Sequence, residues 1–208
     1  LRTAEDTLKI REFIEQHHPR SAVLAGGGFI GVELMENLRE LGIDVTVVQR
    51  PRQLLNPLDA DMAAFLHAKL RQKGVRLHLG CTVEGFAANG DRVNVLLKNE
   101  APLTADMVVL AIGVTPDTGL AKAAGLELGI KGSILVNDRM ETSAPDIYAV
   151  GDAVQVKHFV TGQDTLLSLA GPANKQGRIA ADNICGGDSR YPGSQGSSVI
   201  KGFDMTIA

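Results

Sequence analysis

The chain has 208 residues, of which 44% are hydrophobic and 22% are charged, and its formal net charge is −3. This composition is ordinary for a globular protein and argues against a dedicated nucleic-acid binder, which usually carries a clustered basic excess. No uninterrupted apolar run approaches the roughly 18–20 residues that cross a bilayer, and two cysteines are too few for a disulfide framework, so we expect a cytoplasmic protein with neither nucleic acid nor membrane as a partner.

The first part of the chain predicts a parallel sheet. Apolar spacing indicates a helix over residues 1–20, and Pro19 ends it because proline lacks a backbone N–H. A strand, a helix and a second strand follow at residues 21–25, 29–41 and 43–48. Because these three elements fit within about thirty residues, they predict a βαβ unit.

The next segment departs from the plain doubly wound order. A helix is predicted over residues 61–73, with Met62, Phe65, Leu66 and Leu70 facing inward. A strand at residues 75–79 precedes two alternating stretches that are joined through Asn89-Gly90, a strong hairpin signal. A further buried strand is predicted at residues 107–112. We therefore predict an α/β fold: a three-layer, Rossmann-like domain with a parallel sheet plus an antiparallel β-meander.

Beyond residue 113 the elements become shorter. The pattern predicts a short helix near residues 120–124, brief strands at residues 134–136 and 147–150, and a long helix over residues 174–184. The tail turns apolar at Val199-Ile200, and we expect it to end in a strand with no partner in the chain.

The glycine motif Gly26-Gly27-Gly28-Phe29-Ile30-Gly31 lies between the first predicted strand and the helix that follows it. Gly26 permits a tight turn, Gly28 lets the backbone approach a pyrophosphate, and Gly31 allows the helix to pack closely on the strand. The free N–H groups at the helix start attract an anion. In this βαβ context the motif predicts dinucleotide binding.

The end of the second strand leaves the choice between NADH and NADPH open. A carboxylate is expected there to bind the ribose hydroxyl of NAD, but this chain has Gln49, followed by Arg50 and Arg52. The arginines suit a 2′-phosphate, whereas Gln49 is also able to hydrogen-bond a ribose. We expect NAD(P)H without assigning one form.

A second motif covers residues 142–153 and ends in Gly151-Asp152-Ala153, which follows a predicted short strand. It resembles the second flavin-binding signature of the pyridine nucleotide-disulfide reductases, and this resemblance gives Asp152 the role of binding the ribitol of FAD. The glycine motif with Glu33, and the stretch around Gly113, resemble further segments of that family. Part of a flavin-binding domain is therefore expected.

A third motif, residues 169–178, is similar to the branch that contains coenzyme A-disulfide reductases, persulfide reductases and NADH oxidases. There the segment opens a helix beside the flavin and the thiol substrate. The resemblance implies that Leu169 and Ala170 help to bind the cofactor. It implies that Asn174, Lys175 and Arg178 contact a CoA-like anionic substrate or the flavin, with a solvated helix face as the alternative.

The resemblance implies a flavoenzyme that passes a hydride from NAD(P)H to FAD and on to a disulfide, a persulfide or dioxygen. Phe29, Ile30 and Glu33 are expected near the nicotinamide nucleotide, and a homodimer is expected for the intact protein. We expect domains at residues 1–115 (NAD(P)H-binding), 116–188 (part of the FAD domain) and 189–208 (start of a dimerisation domain).

We expect an internal fragment without catalytic residues of its own, because the family's redox cysteine belongs to an N-terminal segment that this sequence does not contain. A non-enzymatic nucleotide-sensing module is the alternative, and a simple NAD-dependent dehydrogenase is a weaker third. Cys81 and Cys185 are interpreted as buried or half-buried structural thiols. The isolated histidines show no metal-ligand spacing, so no metal site is predicted.

Overall fold

The computed structural model describes residues 3–208 in two compact units. One consists of the described residues up to Gly113 together with Ile200–Ile207, and the other of Val114–Val199 with Ala208. Residues 1 and 2, where the first predicted helix and domain begin, lie outside the described residues. The domain boundaries predicted at residues 115 and 188 stay predictions.

The helices are α1 (Ala4–His17), α2 (Phe29–Glu40), α3 (Ala60–Gln72), α4 (Gly119–Ala123) and α5 (Ala170–Ile184). The strands are β1 (Ser21–Ala25), β2 (Asp44–Gln49), β3 (Arg76–Leu79), β4 (Val83–Asn89), β5 (Arg92–Leu97), β6 (Leu103–Ala105), β7 (Met107–Leu110), β8 (Ile134–Leu135), β9 (Val154–Lys157), β10 (Asp164–Thr165), β11 (Ile200–Gly202) and β12 (Met205–Ile207).

The first unit is built on a four-stranded parallel sheet in the order β3-β2-β1-β7. Side chains of β1 alternate between the two faces: Leu24 packs with Val45 and Val47 on the helical side, and Val23 packs with Val95 of the antiparallel sheet on the other. Strands buried on both faces are rich in valine and leucine for this reason. The predicted three-layer α/β fold is confirmed.

The three-stranded antiparallel sheet β4-β5-β6 forms the third layer. Asn89 pairs with Arg92, so the turn itself is Gly90-Asp91, one residue later than the Asn89-Gly90 signal suggests. Gly90 has a φ of 60°, a conformation that glycine adopts without strain. The predicted hairpin is confirmed.

The predicted orientation of α3 is partly wrong. Its buried residues are Ala63, Leu66, His67 and Leu70, whereas Met62 and Phe65 are exposed. At 3.6 residues per turn, Met62 and Phe65 lie roughly 90° and 150° away from the centre of the buried stripe. Hydrophobicity alone does not show which side of a helix faces the sheet.

Asp106 joins three segments at one end of the sheet. Its carboxylate accepts hydrogen bonds from the backbone N–H groups of Arg20 (2.9 Å) and Ser21 (2.8 Å), and Arg92 donates to it at 2.9 Å. Partial burial on its own would raise the pKa of Asp106. Hydrogen bonds from Ser21 and Arg20 and the charge of Arg92 outweigh that effect and hold this pKa below its usual range.

We expect Asp106→Asn to lower the free energy of unfolding at neutral pH by roughly 2 kcal/mol, because hydrogen bonds to a charged acceptor are lost. A carboxyl group with a depressed pKa stabilises the fold above its unfolded pKa of about 3.9 and loses that contribution as the pH falls through its folded value. Urea unfolding at neutral and acidic pH measures both effects. An equal difference between variant and parent at the two pH values would contradict this role.

The second unit has shorter strands. β8 and β9 are parallel, β9 and β10 are antiparallel, and α5 packs on the turn Gly151–Ala153. The strand predicted at residues 147–150 does not form, since only the isolated pair Glu141–Tyr148 is bridged. Asp146 has a φ of 61°, which interrupts the extended backbone before that segment. α5 begins at Ala170, earlier than predicted, because Pro172 fits the first turn of a helix.

The tail is paired, contrary to expectation. β11 and β12 form an antiparallel hairpin, and Lys69 of α3 donates to Asp204 in its turn at 2.8 Å. Gly202 is buried, and a Cβ there would lie 3.0 Å from Cγ1 of Val32. Glycine at this position allows the hairpin to pack closely on α2.

Candidate dinucleotide-binding site

The glycine turn connects β1 to α2, and at Gly26 and Gly31 neighbouring backbone atoms leave no room for a side chain. Gly26 has a φ of 110° and donates its N–H to the carbonyl of Val48 at 2.9 Å. A Cβ on Gly26 would collide with the carbonyl oxygen of Ala111, and one on Gly31 would collide with the carbonyl oxygen of Gly26. The turn is therefore tight, and α2 starts close against it.

The start of α2 is open to a ligand. Gly28 is the N-cap residue, no side chain of the described residues caps the helix, and its first turn contains no acidic residue. Apart from its chain neighbours, no residue that the structure describes lies within 4 Å of the point where a Cβ on Gly28 would be. Val32 donates to the carbonyl of Gly28 at 3.0 Å, so the earlier N–H groups have no acceptor within the helix. Such a helix start attracts an anion.

A cleft of about 530 Å³ lies beside this helix start, at the carboxyl ends of β1, β2 and β7. Its walls include six residues predicted from the sequence: Gly26, Gly28, Phe29, Gln49, Arg50 and Gly113. Among the described residues that line the cleft, Arg50 carries the one charge and none is acidic. Ligands of parallel α/β sheets bind at this edge.

The side chain of Gln49 is turned toward the glycine motif. Its Oε1 accepts the N–H of Gly27 at 2.9 Å, and its Nε2 lies 3.4 Å from the carbonyl of Gln53. Gln49 therefore fixes the glycine turn from the neighbouring strand. A role toward the ribose stays a prediction.

Two other predicted residues are not brought to the cleft. Ile30 and Glu33 are exposed on α2 and do not line its walls. Gly31 is buried beneath the turn, where it allows close packing. The site is thus formed by the turn and the strand ends more than by the helix surface.

The second unit carries the other predicted cofactor residues. Gly151 has a φ of 82° and donates its N–H to Oε1 of Gln176 at 2.7 Å. Asp152 is exposed in the turn Gly151–Ala153, so its carboxylate is accessible. Gln176, a buried residue of α5, therefore determines where this turn lies.

The remaining predicted residues lie at the start of α5. Leu169 is its N-cap and Ala170 its first residue. Asn174, Lys175 and Arg178 are exposed on the helix, and Lys175 also lines a cavity of about 430 Å³ with Phe159 and Tyr191.

The family is decided by comparison with known proteins. The family model described as pyridine nucleotide-disulphide oxidoreductase matches residues 1–177. The chain belongs to the pyridine nucleotide-disulphide oxidoreductase family.

Solved structures agree with this family assignment. The chain is similar over 99% of its length to a reduced CoADR-RHD from Bacillus anthracis, with a TM-score of 0.94 and 48% identity, and covers 37% of that chain. A NAD-dependent persulfide reductase from A. fulgidus gives a TM-score of 0.94 and 38% identity, with 99% of this chain and 38% of that chain covered.

Among curated relatives, an NADH oxidase of Methanocaldococcus jannaschii is 36% identical over 208 residues, which are 100% of this chain and 46% of that protein. The chain spans less than half the length of the curated relatives it matches.

Three hydrogen bonds made by glutamine and histidine side chains of this chain were not predicted from the sequence. Gln49 binds the Gly27 amide, Gln176 binds the Gly151 amide, and buried His67 accepts the N–H of Leu54. The sequence offered a signal for two of these hydrogen bonds, because His67 and Gln176 are polar residues on the buried stripe of a helix. Buried polar groups nearly always have a specific partner.

The two cysteines differ from each other. Cys81 is buried in the wall of the cleft, as predicted, and burial together with nearby Glu100 raises the pKa of its thiol. Cys185 is exposed at the end of α5, so the prediction of a buried or half-buried thiol is wrong there. Helix ends face solvent unless another element covers them.

Within residues 3–208, no cluster of three or more histidine, cysteine or acidic side chains has the arrangement of a metal site. None of the helices in that range is both long and apolar enough to span a membrane.

Proposed function

We propose that the cleft of the first unit binds a nicotinamide dinucleotide, with the pyrophosphate at the start of α2. The observation that carries this proposal is the uncapped helix start at Gly28, which opens into a cleft where Arg50 is the one charged residue among the described lining residues. Unbonded N–H groups, the helix dipole and a cation all favour the two negative charges of a pyrophosphate.

The intact protein is proposed to be an FAD-dependent NAD(P)H oxidoreductase acting on a small-molecule disulfide, persulfide or dioxygen. The names of similar proteins, which include a persulfide reductase and an NADH oxidase, support this range of acceptors. Bound flavin would accept a hydride from NAD(P)H and pass electrons to the acceptor. This chain contributes the binding of the nucleotides and the orientation of their surroundings.

In the second unit, Gly151, Asp152 and Ala153 are proposed to hold the flavin. The fit rests on the positive φ of Gly151, which brings backbone rather than side chain to the turn, and on the exposed carboxylate of Asp152. A carboxylate accepts hydrogen bonds from sugar hydroxyls. Leu169 and Ala170 are proposed to contribute the backbone at the start of α5.

Asn174, Lys175 and Arg178 are proposed to contact a CoA-like anionic substrate or the flavin. All three are exposed near the start of α5. Two of them are cationic, which suits phosphate groups. The redox cysteine, a homodimer and a cytoplasmic location remain proposals for the intact protein.

We further propose that NADPH binds at least as tightly as NADH. None of the described residues that line the cleft is acidic, so no carboxylate of these residues can bind the ribose hydroxyl. The Oε1 atom of Gln49 already accepts a hydrogen bond from the N–H of Gly27. Arg50 lines the cleft next to the end of β2, where an arginine accommodates a 2′-phosphate.

Arg50→Glu tests the proposal. We expect the Kd of NADPH to rise about 10–100-fold while that of NADH changes less than about threefold, because the charge reversal acts mainly on the 2′-phosphate. Calorimetric titration of both nucleotides measures this difference, and Arg52→Glu is the matched control, since Arg52 is exposed outside the cleft lining. Failure of the parent chain to bind either nucleotide would refute the dinucleotide site.

A further inference from the structure

His67 is a buried titratable residue that the proposed site does not use directly. It lies on the inner face of α3, and its Nε2 accepts the backbone N–H of Leu54 at 3.1 Å. An imidazole nitrogen accepts a hydrogen bond only when it carries no proton. The contact therefore requires neutral His67 with its proton on Nδ1.

Leu54 belongs to the connection between β2 and α3, which also forms part of the cleft. Its side chain is fully buried against Gly27, and the next residue, Leu55, donates its N–H to the carbonyl of Gly27 at 2.9 Å. Arg50 and Asn56 of the same connection line the cleft. The segment 50–57 is thus held on one side by the glycine turn and on the other by His67.

The surroundings of His67 oppose its protonation. Burial and then the positive charge of Arg71, one turn further along α3, lower the pKa of His67. The connection presents the N–H of Leu54, which would repel an imidazolium. The hairpin packed beside α3 brings the carboxylate of Asp204, but Lys69 and Lys73 pair with it at 2.8 and 3.7 Å. Within residues 3–208, no carboxylate hydrogen-bonds to His67.

We infer that His67 is a positioning residue for the dinucleotide cleft. Its neutral imidazole holds the segment 50–57 against the glycine turn, and its protonation releases that segment and weakens dinucleotide binding. The inference rests on the proposed function, because it requires that the cleft binds a dinucleotide.

The sign of the pH dependence follows from this arrangement. An unfolded histidine has a pKa of about 6.5, and the folded value of His67 is lower. The contact is complete above roughly pH 6.5 and is lost as the pH falls through the folded value. Since binding requires the unprotonated form, affinity falls by up to about tenfold per pH unit below the pKa of the free protein.

The experiment measures the Kd of NAD⁺ for the 208-residue chain from pH 7.5 to pH 5.0. NAD⁺ is the probe because it lacks the 2′-phosphate of NADPH, whose second ionisation lies near pH 6. We expect at least about a threefold rise in Kd for the parent chain. The carbonyl of glutamine accepts the same N–H without titrating, so the Kd of His67→Gln should vary by less than about twofold over this pH range. His67→Phe should bind NAD⁺ weakly at every pH.

A second measurement on the unmodified chain keeps the inference testable if a variant fails to fold. The imidazole resonance of His67 should titrate at a lower pH when NAD⁺ is saturating than when it is absent, because coupling is reciprocal. The same pKa of His67 with and without NAD⁺, or the same pH profile in the parent and His67→Gln, would overturn the positioning role of His67. Either result would leave the proposed function standing. Absence of NAD⁺ binding at pH 7.5 would instead refute the proposed function and this inference with it.

Discussion

Gly28→Asp is expected to weaken the binding of NADH and NADPH at least about 100-fold, which corresponds to roughly 2.7 kcal/mol. The new carboxylate would lie at the helix start where the pyrophosphate is proposed to bind, and like charges repel strongly in a cleft partly shielded from water. It would also accept the first-turn N–H groups that the ligand needs.

The same substitution should leave the fold intact. Gly28 has a φ of −79°, which any residue adopts, and within residues 3–208 only its chain neighbours come within 4 Å of the position of its missing Cβ. Aspartate is among the preferred N-cap residues, so the thermal midpoint should be unchanged or higher. Weak binding together with undiminished stability separates a binding effect from unfolding.

Gly28→Asn is the matched control, because it has the size of aspartate without the charge. We expect the factor by which Kd rises in Gly28→Asn to be less than about a tenth of the factor in Gly28→Asp. A neutral cap still competes for the N–H groups, but it does not repel phosphate. Calorimetric titration and thermal unfolding of the three proteins give the comparison. Equal losses in both variants would attribute the effect to size, and unchanged binding in Gly28→Asp would place the pyrophosphate elsewhere.

Gln176→Met is expected to destabilise the second unit by about 2 kcal/mol. Oε1 of Gln176 is the acceptor of the Gly151 N–H at 2.7 Å, and the glutamine side chain is almost fully buried. Methionine has a similar shape but no comparable acceptor, so the half-buried amide of Gly151 loses its partner. Amide exchange at Gly151 should become faster, and the Tm should fall by several degrees.

The consequence for function is a less fixed Asp152, since the turn that carries it loses its attachment to α5. With the flavin bound at Asp152 as proposed, we expect FAD retention to be weaker in Gln176→Met than in the parent. Gln176→Glu keeps an acceptor oxygen and serves as the control, with slow exchange at Gly151 expected in acidic buffer, where a buried carboxyl group is protonated. Unchanged exchange at Gly151 in Gln176→Met would contradict this role.

The βαβ unit and the glycine turn were predictable because their signals are local. Gly26 and Gly31 stand at fixed offsets from a buried strand and an apolar helix face, and backbone sterics leave few alternatives for such a turn. The antiparallel hairpin was equally local, with only a one-residue difference at Gly90-Asp91.

The sequence-based predictions were wrong where contacts with distant segments determine the local structure. The face of α3 was partly misjudged because Phe65 is hydrophobic yet points away from the sheet. The tail was expected to be unpaired, but residues 200–207 fold back as a hairpin on α2. Val32 on that helix explains why a residue as small as Gly202 is needed in the hairpin.

The sequence by itself determined the α/β architecture, the position of the glycine turn and the resemblance that the family comparison bore out. The tertiary structure decided which polar side chains hold the glycine-containing turn of each unit: Gln49 contacts Gly27 across 22 positions in the first, and Gln176 contacts Gly151 across 25 in the second. Local periodicity reports which face of an element is apolar, whereas a hydrogen bond between distant segments depends on how those elements pack. For that reason the glycines were visible in the sequence, and the residues that support them were not.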